Sequence, residues 1–213
     1  MDTLENTPIN NELIKKFAKE IKKIKSGLII FSDFRHGIFN SNSVNILRNA
    51  IGKKIFLAGD SQIASRWGNI LDFKNCDLIT PNEKEARFAL GDQDTAIRPL
   101  GSKLLKKANC KSLILTLGQR GILTIRKPKS ANDTRAFFSI DSFAENVVDP
   151  VGCGDSLLSY ASLAYKISKN DVISSILGIV ASSIEAEKNG NIEIKNIDVV
   201  KRLKSIEEKF KFI

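Results

Sequence analysis

Short apolar runs separated by stretches of helical periodicity recur along this chain, and that alternation leaves few architectures open. GLIIFSD (27–33), KKIFLAG (53–59), CDLITP (76–81) and SLILTLG (112–118) each have the length and composition of a buried strand, and Pro81 stops the third. Residues 11–25 put Leu13, Ile14, Phe17, Ile21 and Ile24 at helical spacing, and a helix capped by Ser41 or Ser43 follows the first strand. Residues 82–90 and 95–109 read as helices, GILTIRK and RAFFSI as an antiparallel pair, and three helices fill about 154–168, 170–188 and 196–209. Strands alternating with helices predict βαβ units, hence an α/β fold with a mainly parallel sheet and helices on both faces. Residues 1–10 are polar and expected to fray, and residues 1–213 are expected to form a single domain.

Composition removes several function classes. With 42% hydrophobic and 27% charged residues the chain is an ordinary globular mix, and its longest apolar runs are far short of the ~18 residues of a membrane helix. No signal-peptide pattern opens it, so a cytoplasmic setting without membrane partners is expected. Cys76, Cys110 and Cys153 are widely spaced and never paired as C-x-x-C, which favours reduced thiols over a disulfide framework or a zinc site. The net charge of +9 is spread along helices such as ELIKKFAKEIKKIK, where Lys alternates with Glu and apolar positions. That is the pattern of a solvated helix face, and no nucleic-acid partner is expected; the field would still attract a phosphorylated ligand.

In a parallel α/β sheet, ligands bind outside the carboxyl ends of the strands. SDFRHG follows the first strand, TPNEKE the third and TLGQRG the fourth, and DPVGCGDS (149–156) opens a helix. Gly152, Cys153 and Gly154 have small or absent side chains at that helix N-terminus, where backbone N–H groups and the helix dipole favour an anion. A carboxylate there would repel the same anion unless it had a task. Asp155 suits a general base that takes the proton of an attacking hydroxyl while the adjacent N–H groups hold developing charge. The alternative is that Asp155 caps its helix and the glycines make a turn. Asn82 after Pro81 could likewise be a helix cap and Glu85 its capping-box partner. Asp33, at a strand's carboxyl end, and His36, in the turn beside Gly37, are candidate substrate contacts.

The motif D-P-V-G-C-G-D resembles the D-T-x-G-A-G-D signature of the ribokinase-like, or PfkB, carbohydrate kinases. Asn82 and Glu85 in TPNEKEA resemble that family's N-x-x-E motif, and Thr116, Gly118 and Gly121 in TLGQRG its T-x-G-x-x-G turn. The three occur in the family's order over about residues 27–195, and SDFRHG with TPNEKEA looks most like the heptose-phosphate kinase branch. The resemblance implies a three-layer α/β/α fold and transfer of the γ-phosphoryl group of ATP to a sugar or sugar-phosphate hydroxyl. It implies Asp155 as base, Gly152, Cys153 and Gly154 as anion hole, and Thr116, Gly118 and Gly121 against the nucleotide. Asn82 and Glu85 would act on Mg2+, mostly through water.

Three departures bear on that resemblance. Cys153 stands where the family has alanine, which keeps the backbone N–H; Pro150 removes a donor outside the cradle; His36 stands where the branch has lysine. The family's N-terminal sugar-binding region and lid are not recognised in this sequence. An uncovered sheet edge would invite self-association or a partner chain. The alternative function is a non-catalytic nucleotide-binding or interaction protein of the same fold.

Overall fold

The computed structural model describes residues 7–63, 68–128, 133 and 136–211. Within it the chain divides into two compact units, Met1–Leu113 and Ile114–Ile213. The strands run β1 (Gly27–Asp33), β2 (Ile55–Ser61), β3 (Leu78–Ile79), β4 (Ser112–Thr116), β5 (Ile122–Arg126) and β6 (Phe137–Ile140), in that spatial order. β1 to β4 pair in parallel, and β5 pairs with β6 antiparallel. The mainly parallel α/β arrangement is therefore the one expected.

In the first unit, α1 (Asn11–Lys23) precedes β1, α2 (Ser41–Ala50) joins β1 to β2, and α3 (Glu83–Leu90) and α4 (Ile97–Ala108) together join β3 to β4. The parallel register pairs Ser32 with Asp60 and Asp33 with Ser61, so the polar ends of β1 and β2 lie side by side. Phe31, Phe39 and Phe73 form an aromatic cluster with ring centroids 5.6–5.7 Å apart, and Leu47, Ile79, Leu100 and Leu104 are fully buried. Two details differ from expectation. The cap of α2 is Asn40, not Ser41 or Ser43: its extended backbone lets Oδ1 accept from the Ser43 N–H at 2.9 Å, and Ser43 Oγ accepts from the Asn40 N–H in return. On α1 only Ile14 and Ile21 are buried, while Leu13, Phe17 and Ile24 remain 49%, 55% and 42% exposed. Helical spacing identified the apolar residues but not which of them find a partner. Residues 1–6 of the expected frayed start lie outside the described residues, and the Ile9 N–H donates to the Gly37 carbonyl at 3.0 Å.

In the second unit, α5 (Cys153–Ser168), α6 (Asp171–Ala186) and α7 (Asn196–Phe210) follow β6. Val180, Ala181, Ile184 and Val199 form a buried cluster, packed by Phe143, Tyr160, Leu203 and Ile206. A buried Thr124–Ser175 hydroxyl pair, 2.7 Å apart, ties β5 to α6. All three cysteines are free, and burial pushes the Cys76 thiol up to about 12, so it stays protonated and inert. Among the described residues no helix is long and apolar enough to cross a membrane.

Candidate active site

In the second unit the β4–β5 turn and the start of α5 open on one cavity of about 320 Å³. Thr116, Gly118 and Gly121 line it from the turn, Cys153 and Gly154 from the helix mouth, and Ile179, Ser183 and Ala186 from α6. The turn is built on glycine for two reasons. Gly118 has φ +62, and Gly121 has φ +83 with the Ile140 carbonyl and Ser142 amide packed where a Cβ would stand. The lining is mostly apolar with a few polar groups, which suits a flat ring carrying a polar tail.

The helix mouth is shaped by a buried acid. Gly152 is the N-cap of α5 with φ +83, and a Cβ there would lie 2.5 Å from both Glu185 Oε1 and Asn191 Oδ1. Glu185 is fully buried; it accepts from the Ile192 N–H at 3.0 Å and from Ser156 Oγ at 3.3 Å. Asp149 holds the approach to the turn by accepting from the N–H groups of Val151 and Gly190. The Cys153 N–H donates to the Pro150 carbonyl over a long 3.3 Å, so an anion would have to share it, and the space a Cβ would fill at Gly154 is open. Asp155 sits half-buried in the first turn of α5. Gly152 and Asp155 are not among the residues that line the cavity; they stand on the same turn as the two that do.

In the first unit, Asn82 caps α3 and forms a capping box with Glu85: Asn82 Oδ1 accepts the Glu85 N–H at 2.9 Å and Glu85 Oε2 accepts the Asn82 N–H at 2.8 Å. Burial raises the Glu85 carboxyl above its ordinary value, against the opposing amide bonds from Asn82 and Ile63. Asp33, 3% exposed, accepts from the Arg35 N–H and guanidinium, each at 2.8 Å, and from Ser61 Oγ at 2.9 Å. Its carboxylate would thus reach a substrate through Arg35. His36 is exposed and stacks on Phe34 at 6.5 Å.

Sequence reasoning passed over the turn after β2. Asp60, Ser61 and Thr80 are buried at the carboxyl ends of β2 and β3. Arg35 Nε and Thr80 Oγ1 are buried without a hydrogen-bond partner among the described residues. The rule that selected the other three turns would have selected GDSQ as well. Glu185 carried no signal, since a single Glu in ASSIEAE looks like a surface residue. Among the described residues no three His, Cys, Asp or Glu side chains cluster as a preformed metal cage. A divalent cation here would therefore be held mainly by water and phosphate oxygens, with Glu85 as its carboxylate; this fits magnesium, which keeps several waters.

A sequence pattern described as pfkB family carbohydrate kinase matches residues 58–194, more than half of the chain. The bifunctional protein HldE of Campylobacter curvus is 26% identical over 188 residues, which are 86% of this chain and 37% of that protein. Among solved structures, phosphofructokinase-2 from Escherichia coli superposes with a TM-score of 0.75 at 16% identity, over 94% of this chain and 64% of that one. Ribokinase of Arabidopsis thaliana, complexed with ribose and ATP, gives 0.68 at 16% identity, over 92% of this chain and 60% of that one. The fold is thus ribokinase-like, and the chain spans about a third of its curated relative and under two thirds of these solved chains.

Proposed function

Because the chain belongs to the pfkB family of carbohydrate kinases, we propose that it transfers the γ-phosphoryl group of ATP to a hydroxyl of a sugar or sugar phosphate. The observation that carries this reading is the cavity lined jointly by the glycine-rich β4–β5 turn and the first residues of α5. The nucleotide lies in that cavity with Thr116, Gly118 and Gly121 against it, and its phosphates run toward the open space over Gly154. The N–H groups of Gly152, Cys153 and Gly154 hold the negative charge of the transferred group, aided by the α5 dipole. Asp155 takes the proton of the acceptor hydroxyl. Glu85 and Asn82 would hold magnesium, largely through water, and the ion would supply charge neutralisation of the phosphates. Arg35, oriented by Asp33, and His36 are assigned as acceptor contacts. The match to HldE supports a heptose phosphate as the first acceptor to try.

ATP consumption by the purified chain with magnesium, measured against a panel of sugars and sugar phosphates beside a direct ATP titration, tests the reading. Turnover with any acceptor supports a complete kinase. Binding without turnover supports a nucleotide-binding protein or one half of an enzyme, and no binding removes the proposal. Glu85→Gln keeps an acceptor for the capping box but removes a charge, and it should shift the magnesium titration to higher concentrations. A superimposable titration would leave Glu85 as a helix cap only.

A second observation supports association. β1 is the terminal strand of the sheet, seven residues long with GLIIF at its start, and Phe34 and Ile38 beyond it are exposed along with Leu13, Phe17 and Ile24. Sedimentation should give at least a dimer, and Phe17→Glu should lower the mass. A wild-type monomer at micromolar concentration would exclude self-association and direct the search to a partner chain.

A further inference from the structure

The wall of the cavity between β6 and α5 is an irregular segment anchored in the core through Phe143. Ser142, Ala144 and Val147 line the 320 Å³ cavity, and Ser142 and Ala144 also line a second cavity of about 270 Å³, together with Arg202, Ser205 and Lys209 of α7. Phe143 is packed on the buried cluster, but Ser142 and Ala144 on either side of it border space on two sides, so hydrogen bonds help decide where these flanks stand. Those bonds run to α7 and to the C-terminal end of α6. Arg202 donates to the Phe143 carbonyl at 3.2 Å, between the two residues that face both cavities, and to Glu187 Oε1 at 3.0 Å, with a second contact from its other guanidinium nitrogen to Oε2. Glu187 Oε1 also accepts the Glu145 N–H at 2.9 Å, and Lys209 pairs with the Glu145 carboxylate. Further along, the Val148 and Asp149 N–H groups donate to the carbonyl of Ala186, itself part of the cavity lining.

The ion pair is sheltered: the Arg202 and Glu187 side chains are about one-fifth exposed, at 21% and 19%. Burial alone would raise the Glu187 carboxyl, but the Arg202 guanidinium and the Glu145 amide hold it below the ordinary range. A planar guanidinium reaches a carbonyl and a carboxylate at once, which an ammonium cannot do with the same geometry. We propose that Arg202 is a positioning residue for nucleotide binding, fixing the 142–147 wall of the cavity by gripping the Phe143 carbonyl and Glu187 together. This rests on the reading of the cavity as the nucleotide site. Its consequence is a split between binding and rate, because the wall touches the nucleotide and not the reacting oxygen atoms.

The test is a titration of ADP and of ATP with magnesium into wild type, Arg202→Met, Arg202→Lys and Glu187→Gln, well below each protein's unfolding temperature, with thermal melts of the nucleotide-free proteins alongside. Arg202→Met should weaken both nucleotides about tenfold, Arg202→Lys less, and Glu187→Gln by an intermediate factor. Where turnover is measurable, KM for ATP should rise with kcat unchanged. Amide exchange over 142–148 should be faster in Arg202→Met and should slow again at saturating ADP. A variant that melts earlier yet binds nucleotide as wild type does would overturn the proposal and leave Arg202 as a structural ion pair. If Arg202→Met does not fold, the lysine and glutamine variants decide by the same comparison. Wild-type protein that binds neither nucleotide would instead sink the reading of the cavity itself.

Discussion

Asp155→Asn is expected to give a protein that binds ATP and no longer turns it over. The carboxamide has the shape of the carboxylate and stays in the first turn of α5, and the favourable contact between a negative charge and the helix N-terminus that it gives up is worth about 0.3–1 kcal/mol. The amide cannot take a proton, and losing a positioned general base costs about 10²–10⁴ in rate. The expected result is therefore a kcat lower by about a thousandfold, a melting temperature within a few degrees of wild type, and an ATP affinity equal or slightly tighter, since one negative charge beside the phosphates is gone. The two readings of this residue differ in turnover. A capping role predicts turnover kept, since asparagine caps about as well as aspartate, and turnover within about tenfold of wild type would remove Asp155 from the chemistry.

The parts of the fold that were legible in the sequence are those where local chemistry and tertiary role coincide. β4 was visible as an apolar run because both faces of a central parallel strand are covered, β1 was visible by the same composition although it is only half-buried, and β5 and β6 form the antiparallel pair expected. CDLITP contracted to a two-residue strand, Leu78–Ile79, since the Asp77 carboxylate turns instead to the Leu57 N–H at 2.8 Å. The cap of α2 was assigned to serine because serine and asparagine are equally good caps; only the extended backbone at Asn40 separates them. At the candidate site, the glycine turns were legible because positive φ and close approach demand glycine. Glu185 and the 142–147 wall were not, because a buried carboxylate and a hydrogen-bonded strip of chain have the same composition as surface loop. What a residue touches across the fold leaves no mark on its neighbours in sequence.

The two glycines of the α5 mouth are expected to fail in opposite ways. At Gly152 the backbone is left-handed, which costs an alanine about 1 kcal/mol, and its Cβ would meet Glu185 Oε1 and Asn191 Oδ1 at 2.5 Å. Glu185 has no room to retreat without releasing the Ile192 amide and Ser156 hydroxyl inside the core, and a buried carboxylate stripped of donors is expensive. Gly152→Ala should therefore cost about 3 kcal/mol in total, a fall of about 6–12 °C in melting temperature for a chain of this size, and nucleotide binding should fall with it. Gly154 is different: nothing lies within 4 Å of the Cβ it would acquire, and its φ is not positive. In the first turn of a helix the alanine should leave stability unchanged or raise it by a few tenths of a kcal/mol. The added methyl would instead occupy the space over the helix N-terminus that the phosphates are proposed to use, so ATP affinity should fall at least tenfold in a fully folded protein. Thermal melts and ATP titrations of the two variants read both quantities. If Gly154→Ala binds ATP as tightly as wild type, that open space is not the anion site, and the helix mouth is a structural turn held in place by Glu185.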